Sequence, residues 1–284
     1  MITYKRCTEA SINDIYQAFI IGFSDYIIKM EIPFELFVKR FFGPEGNDLM
    51  FSFIALDVEK PVGVILGGIK MFEGIKTLRC GTLCVHPNYR GKGISRELFK
   101  LHKKTAIDNK CKQLFLEVIV GNNRAINFYK SLGYDIIYYL SYFSHDKPRT
   151  ISAAESIEPF YFEEINMNLL RDFKSQIEDI HITWQNSFDY MGKIDDLLHY
   201  SIKYLSESVG AISIHKSGKI YFIWLNPSFR KQGLGKALIG YAANKLELSK
   251  VAINFANNGN LEGFLKHLGF KRDSISQYEM YITL

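Results

Sequence analysis

Residues 87–95 read Pro-Asn-Tyr-Arg-Gly-Lys-Gly-Ile-Ser, and a related stretch at residues 227–235 reads Pro-Ser-Phe-Arg-Lys-Gln-Gly-Leu-Gly. At both places an apolar segment typical of a strand gives way to a segment with helical periodicity. Glycine lets a backbone approach a ligand closely, and the free N–H groups at the start of a helix attract an anion. The two stretches therefore predict two phosphate-binding loops, each placed between a strand and a helix.

The repeat extends beyond these loops. Residues 122–134 read Asn-Asn-Arg-Ala-Ile-Asn-Phe-Tyr-Lys-Ser-Leu-Gly-Tyr, and residues 258–270 read Asn-Gly-Asn-Leu-Glu-Gly-Phe-Leu-Lys-His-Leu-Gly-Phe. The loop prolines lie 140 residues apart and the two Leu-Gly steps 136 residues apart. A chain with this internal repeat is predicted to contain two copies of one module.

Length and repeat position together predict two domains. A chain of 284 residues suits two domains, each of roughly 100–150 residues. The segment 144–150 is polar and contains a proline, and a second series of strands and helices begins near Phe160. We therefore expect a first domain at 1–146, a linker at 147–157 and a second domain at 158–284.

The apolar patterning predicts an α/β fold with a mixed sheet. In the first copy we expect strands near 2–6, 51–56, 61–69, 76–85, 113–119 and 136–143, and helices near 12–23, 34–41, 94–102 and 124–132. In the second copy we expect strands at 160–165, 209–215 and 219–225, and helices at 169–178 and 194–205. Hairpins combined with one helical crossover after each loop predict a mostly antiparallel sheet with one parallel step per copy.

Charge and cysteine content exclude several classes of protein. The 35 Lys and Arg residues against 30 Asp and Glu give a net charge of +5, too small and too dispersed to indicate nucleic-acid binding. The cysteines Cys7, Cys80, Cys84 and Cys111 form no metal-ligand pattern, so no metal is expected. No apolar run reaches the ~18 residues of a membrane span, and no signal peptide is evident. We expect a cytoplasmic protein with neither nucleic acid nor membrane as a partner.

The string Leu83-Cys84-Val85-His86-Pro87-x-x-Arg90-Gly91-Lys92-Gly93-Ile94-Ser95, followed by Asn122, Ala125, Phe128-Tyr129 and Leu132-Gly133-Tyr134, resembles the GNAT superfamily of acetyl-CoA-dependent N-acetyltransferases. The loop alone is a weak signal, but the loop and the helix at this spacing are a strong one. The second half is similar to the same fold, so the whole chain resembles tandem GNAT proteins. The resemblance implies acetyl-CoA as co-substrate, a small-molecule or peptide amine as acceptor, and a monomer or homodimer.

The resemblance also implies which residues bind the coenzyme. They are Cys84, Val85, Arg90, Gly91, Lys92, Gly93, Ile94, Ser95, Asn122 and Arg124, with Arg230, Gln232, Gly233, Leu234 and Gly235 in the second half. A pyrophosphate leaves water only where several donors meet it, and backbone amides of such a loop supply them. Ser95 replaces the family's usual glycine or alanine. Leu265 stands where the family has its tyrosine, which puts catalysis by the second half in doubt but not its binding of coenzyme A.

Tyr129 is the candidate general acid. Transfer to an amine requires a proton for the departing thiolate, and a phenol with a pKa of about 10 is a suitable donor to a thiolate whose acid has a pKa of about 8.5. The alternative is that Tyr129 is a core residue of an amphipathic helix. Asn122 is expected to position backbone or pantetheine groups, to cap a helix, or to do both.

The general base is less well defined by the sequence. Glu117 lies in an apolar strand, where burial would raise its pKa, but it can equally be a paired structural carboxylate. Glu73 and His86 are weaker candidates, and a chain of water molecules can do the same work. Cys80 and Cys84, expected on one strand face, are nucleophiles in principle but are favoured as buried cysteines.

The same motifs also allow a function other than acetyl transfer. A non-catalytic sensor or interaction module that binds acetyl-CoA would share the same loops. A nucleotide-binding protein of the P-loop or dinucleotide type is excluded, because no Gly-Lys-Ser/Thr follows either loop and neither glycine pattern is Gly-x-Gly-x-x-Gly. An aromatic group at residues 19–42 is expected to be mostly core, with a few rings shaping an acceptor pocket.

Overall fold

The computed structural model describes residues 1–152, 158–177 and 180–284. Contacts divide the chain into two units, the first comprising Met1–Tyr138 with Gln277–Leu284 and the second comprising Tyr139–Ser276. The elements of the first half are β1 (Ile2–Arg6), α1 (Ile12–Gly22), α2 (Phe34–Phe41), β2 (Asp48–Asp57), β3 (Lys60–Phe72), β4 (Ile75–Val85), α3 (Ile94–Asp108), β5 (Gln113–Ile119), α4 (Asn123–Ser131) and β6 (Asp135–His145).

The second half follows a similar order with shorter helices before its loop. Its elements are β7 (Tyr161–Ile165), α5 (Met167–Arg171), α6 (Phe188–Met191), β8 (Leu197–Tyr204), β9 (Glu207–His215), β10 (Lys219–Leu225), α7 (Leu234–Lys245), β11 (Val251–Ala256), α8 (Gly259–His267) and β12 (Lys271–Thr283). Short 3-10 turns lie at Pro87–Tyr89 and Pro227–Phe229, directly before the two loops.

Each unit contains a mostly antiparallel sheet. The strand order is β1-β2-β3-β4-β5-β12 in the first unit and β6-β11-β10-β9-β8-β7 in the second. Among the strand pairs of the described residues, the parallel ones are β4 with β5 and β10 with β11, which are the two pairs joined by a crossover helix. The predicted fold class, a mixed sheet with one parallel step per copy, is confirmed.

Each sheet is completed by a strand from the other half of the sequence. Residues 277–283 of β12 pair with β5, and residues 140–145 of β6 pair with β11. The boundaries of the contact units therefore differ from the predicted boundaries at 146 and 158. The sequence repeat follows the order of the chain, whereas each end strand pairs with a strand of the other half. The linker stays a prediction, and its residues 153–157 lie outside the described part.

The predicted helix at 194–205 is wrong, because this segment forms the strand β8. Its apolar side chains Leu198, Tyr200, Ile202 and Tyr204 recur at every second residue and pack into one cluster. That spacing of two is the period of a strand, and β8 is paired on both sides, with β7 and with β9.

The predicted helix at 169–178 is shorter and begins earlier. Asn166 caps α5, since its side chain accepts hydrogen bonds from the backbone of Asn168 and Leu169, and a 3-10 turn continues over Asp172–Gln176. Glu178, the last residue of the predicted helix, lies outside the described residues.

A bulge at Gly81 corrects the expectation that Cys80 and Cys84 share one strand face. Leu66 pairs with Thr82 but the next residue, Gly67, pairs with Cys80, so β4 carries one extra residue. An extra residue reverses the alternation of side chains, and Cys80 packs beneath α3 while Cys84 packs against α1. Burial raises the pKa of both thiols, that of Cys80 to about 12, which disfavours either as a nucleophile.

The first unit has helices on both faces of its sheet. Most of the aromatic group at residues 19–42 packs between α1, α2 and one face of the sheet, in a cluster centred on Phe19, Phe37 and Phe41. The helices α3 and α4 cover the opposite face. The end of α1 lies directly against β4, since a Cβ at Gly22 would stand 2.5 Å from Cys84 Sγ.

We expect Gly22→Ala to lower the free energy of unfolding by about 1–3 kcal/mol, because the added methyl group forces α1 away from β4. Gly263→Ala is the matched control. A Cβ at that position in α8 meets no atom within 4 Å, so alanine is expected to stabilise by up to about 1 kcal/mol. Chemical denaturation measures both variants, and equal effects would contradict the close approach at Gly22.

Candidate functional site

The loop after β4 has a backbone built to receive an anion. Gly91 and Gly93 have φ angles of 77° and 84°, a left-handed conformation that favours glycine, and α3 begins at the next residue. Within the described residues, the backbone N–H groups of Gly91 to Ser95 donate no hydrogen bond. A Cβ at Gly91 or Gly93 would meet no atom within 4 Å, so the loop faces open space. Several free donors at a helix start form an anion site.

The second loop has the same outline but a less favourable sequence. Lys231 takes a φ of 64° where the first loop has a glycine, and Gly233 has a φ of 80° before α7. A left-handed conformation costs a residue with a side chain roughly 1–2 kcal/mol. A Cβ at Gly235 would stand 3.0 Å from the ring of Phe264, so this glycine serves the contact with α8.

The arginine of each loop binds the strand that precedes it. Arg90 Nε donates to the Val85 carbonyl at 3.0 Å, and Arg230 Nε donates to the Leu225 carbonyl at 2.9 Å. Both arginines therefore fix the position of their loop on the end of its strand.

A cleft of about 560 Å³ opens beside the first loop. It lies where β4 and β5 separate, since these strands pair over Thr77–Arg79 and Gln113–Phe115 and then diverge. Ten of its lining residues were predicted for the site: Cys84, Val85, Arg90, Gly91, Gly93, Ile94, Ser95, Asn122, Arg124 and Tyr129. Lys92 and Glu117 are not among the lining residues; the Lys92 ammonium lies 4.8 Å from the ring centre of Tyr89.

Tyr129 is both a core residue and a wall of the cleft. It is 8% exposed, its ring centre lies 5.7 Å from that of Tyr134, and it lies close to the Cys80 thiol. Burial raises the pKa of Tyr129 well above its usual value, and the neighbouring Cys80 and Tyr134 act in the same direction. The phenol therefore stays protonated at neutral pH and retains a proton to donate.

Asn122 caps α4 and reaches across the cleft. Its side-chain oxygen accepts from the Ala125 backbone at 3.2 Å, as the sequence allowed. Its side chain also lies close enough to Tyr26, in the segment after α1, to lower the pKa of that hydroxyl, which burial raises. Asn122 thus lies between the start of α4 and the opposite wall, while a positioning role toward a ligand stays a prediction.

Glu117 is held in a buried ion-pair network. Arg79 donates from Nη2 to Glu117 at 2.6 Å and from Nη1 to Glu45 at 2.7 Å, and all three side chains are about 95% buried. Burial raises the pKa of Glu117, and the charge of Arg79 opposes that shift. This geometry is that of a paired structural carboxylate. His86, a weaker candidate base, accepts from the Asn88 backbone at 3.1 Å and caps a turn.

Several cleft residues were not predicted. Arg96 lines it from α3, directly after the loop motif. Asp25 lines it with no recognisable motif around it, and Phe23 and Tyr26 were placed only within the broad aromatic group. Their position depends on how the segment after α1 returns over the end of β4, which no local pattern encodes.

Two kinds of feature are absent from residues 1–152, 158–177 and 180–284. In this part of the chain no helix is long and apolar enough to cross a membrane. In the same residues no group of three or more His, Cys, Asp or Glu side chains is arranged to hold a metal ion.

Two family profiles match the chain. Residues 12–134 match the one described as "Acetyltransferase (GNAT) family", and residues 163–284 match the one described as "Acetyltransferase (GNAT) domain". N-alpha-acetyltransferase 30 of Schizosaccharomyces pombe is 30% identical over 104 residues, which are 36% of this chain and 67% of that protein. Thialysine N-epsilon-acetyltransferase of Bos taurus is 45% identical over 49 residues, which are 17% of this chain and 29% of that protein.

Solved structures match over the whole chain. A tandem GNAT protein from the clavulanic acid biosynthesis pathway has a TM-score of 0.70 at 13% identity, covering 100% of this chain and 98% of its own. A GCN5-related N-acetyltransferase from Sphaerobacter thermophilus has a TM-score of 0.69 at 11% identity, covering 99% and 95%. At these identities the likeness shows the fold alone.

We expect Glu117→Gln to lower the free energy of unfolding by about 3 kcal/mol, because it leaves buried Arg79 with less compensating charge. Glu97→Gln is the matched control, since Glu97 pairs with Lys100 on the surface of α3, where an ion pair contributes little. Urea denaturation measures both. Full stability of Glu117→Gln together with lost turnover would instead make Glu117 the base.

Proposed function

Because the chain belongs to the GNAT acetyltransferase family, with one such domain in each half, we propose that it transfers the acetyl group of acetyl-CoA to an amine. The transfer takes place in the cleft of the first unit. The observation that carries this proposal is that one cleft joins a loop with free backbone N–H groups to a buried, protonated phenol.

The first loop would hold the pyrophosphate of the coenzyme. The amides of Gly91 to Ser95 supply donors without the entropy loss of ordering side chains, and the open space at both glycines fits a bulky anion. Arg124 and Arg96 line the same cleft and add positive charge, and Lys92 lies beside it. Cys84 and Val85, at the end of β4, would lie along the pantetheine arm.

Tyr129 would supply the proton that the reaction needs. As the nitrogen–carbon bond forms and the carbon–sulfur bond breaks, the phenol proton passes to the sulfur, which leaves as a thiol. The acceptor must also lose a proton. Since Glu117 is bound to Arg79 and does not line the cleft, we assign that proton to water.

The second unit would support the first rather than catalyse. Leu265, a buried apolar residue, stands where the first unit has Tyr129. The gap between β10 and β11 is also bridged, because Asn186 Nδ2 donates to the Asn254 carbonyl at 2.8 Å and its 3-10 turn lies against β10. In the first unit the corresponding gap is the cleft. Coenzyme contacts by Arg230, Gln232, Gly233, Leu234 and Gly235 are therefore expected to be weak.

We expect calorimetric titration of acetyl-CoA into the intact chain to show one site. Gly93→Glu should abolish it, because the new carboxylate fills and repels the anion site, while Gly233→Glu should leave it. Loss of the site in Gly233→Glu alone would move the active site to the second unit.

We expect Tyr129→Phe to lower turnover by about 10²-fold, the usual contribution of general acid catalysis. Its affinity for acetyl-CoA should change by no more than about twofold, since the phenol acts in the transition state. Tyr134→Phe is the matched control, because the Tyr134 hydroxyl is buried and has no hydrogen-bond partner among the described residues.

The substrates for this assay are peptides with a free α-amino group, lysine, thialysine and simple diamines, with thiol release as readout. Undiminished turnover of Tyr129→Phe would remove Tyr129 from the mechanism. Coenzyme binding by the intact chain without turnover of any amine would favour the alternative, a non-catalytic acetyl-CoA-binding module.

A further inference from the structure

The guanidinium of Arg90 is almost fully bonded by the protein itself. Its Nη2 donates to the Gly22 carbonyl at 3.0 Å and to Asp25 Oδ1 at 2.6 Å, and its Nη1 donates to Asp25 Oδ2. With the bond from Nε to Val85, four of the five N–H donors of an arginine are used. Arg90 therefore has one N–H donor left for a phosphate group, and the other four bind groups of the protein itself.

The corresponding arginine of the second unit lacks this pairing. Arg230 repeats the bond to the end of its strand, but no carboxylate of the described residues pairs with it. Both loops therefore share the hydrogen bond from the arginine to the preceding strand. Within the described residues, the pairing of that arginine with a carboxylate occurs in the unit that contains the cleft.

The pair with Asp25 fixes a segment that forms one wall of the cleft. The end of α1 is seated by the close contact of Gly22 with Cys84, and Phe23, Asp25, Tyr26 and Ile27 then line the cleft. The rings of Phe23 and Tyr26 meet edge to face at 4.9 Å between centres. Tyr26 lies close to both Asn122 and Tyr129, since Asn122 lowers the pKa of Tyr26 and Tyr26 raises that of Tyr129.

We propose that Asp25 and Arg90 are a positioning pair that holds residues 22–27 over the cleft, so that Tyr26 forms the wall which the acceptor amine contacts. The inference rests on the proposed acetyl transfer and adds a role for a loop residue on the acceptor side. A bidentate arginine–carboxylate pair fixes orientation as well as distance.

The chemistry of the pair supports positioning rather than general stabilisation. The hydrogen bonds from Arg90 hold the pKa of Asp25 below its usual value, so the pair is charged at neutral pH. The Asp25 side chain is 52% exposed, and ion pairs this exposed add little to the stability of a fold. Loss of the pair between Asp25 and Arg90 is therefore expected to move the wall of the cleft while the unit stays folded.

The test compares Asp25→Asn with Asp25→Glu, Tyr26→Ala and the double variant Asp25→Asn/Tyr26→Ala. Glu31→Gln is the matched control, because Glu31 lies in the same connection between α1 and α2 but outside residues 22–27, pairs with Lys29 and has a 75% exposed side chain. For Asp25→Asn we expect the KM for an amine to rise about fivefold or more while the affinity for acetyl-CoA changes by no more than about twofold. Asp25→Glu should recover most of the loss, and the double variant should match Tyr26→Ala.

A second readout does not depend on activity. Chymotrypsin cleaves after Phe23 and Tyr26, and Asp25→Asn should be cut there about fivefold faster than the intact chain, with Glu31→Gln unchanged. If Asp25→Asn equals the intact chain in KM and in cleavage, the positioning role is wrong. If it loses acetyl-CoA binding instead, Arg90 acts on the coenzyme and the proposal is also wrong. If the intact chain acetylates no amine, the proposed function fails, and cleavage alone decides the role of the pair.

Discussion

The short parallel pairing of β4 with β5 is the constraint on which the site depends. After three paired residues on each strand the two strands separate, and the cleft of the first unit opens beside the end of β4. The crossover helix α3 must begin at the end of β4, which brings its free N–H groups to the mouth of this gap. The proposed coenzyme has a charged head and a narrow uncharged arm, and it would place the head at the helix start and the arm between the strands.

The buried ion pair of Arg79 with Glu117 lies on the face of the sheet away from the crossover helix α3. Leu114, Leu116 and Val118 of β5 face α3, so Glu117 faces the other side of the sheet. In β11 the residues Val251, Ile253 and Phe255 face α7 in the same way, which places Asn254 opposite. Both units thus have a buried polar residue on the face away from the crossover helix. In the first unit this residue is Glu117, which pairs with Arg79, and in the second unit it is the uncharged Asn254.

Much of the framework was predictable because local patterns encode it. Strand β5 has the bounds expected from its apolar run, and the glycines at 91 and 93 indicated the turn into α3. The cleft brings together most residues that the motifs indicated, although their roles stay predictions. Asp25 could not be found, because its partner is 65 residues away and neither residue carries a pattern that refers to the other. The bulge at Gly81 was missed for a related reason, since pairing with β3 determines it. The alternation that marks β8 is present in the sequence, and the prediction of a helix there overlooked it.

Because the two halves of this duplicated chain exchange their end strands, each half needs the other to complete its sheet. A fragment that stopped after β6 would keep β5 with an unpaired edge and would carry β6 without β11, its partner in the intact chain. Exposed strand edges recruit other chains, so such a fragment is prone to aggregate. Each half of the chain therefore depends on the other for the partner of its end strand, whichever half carries out the chemistry.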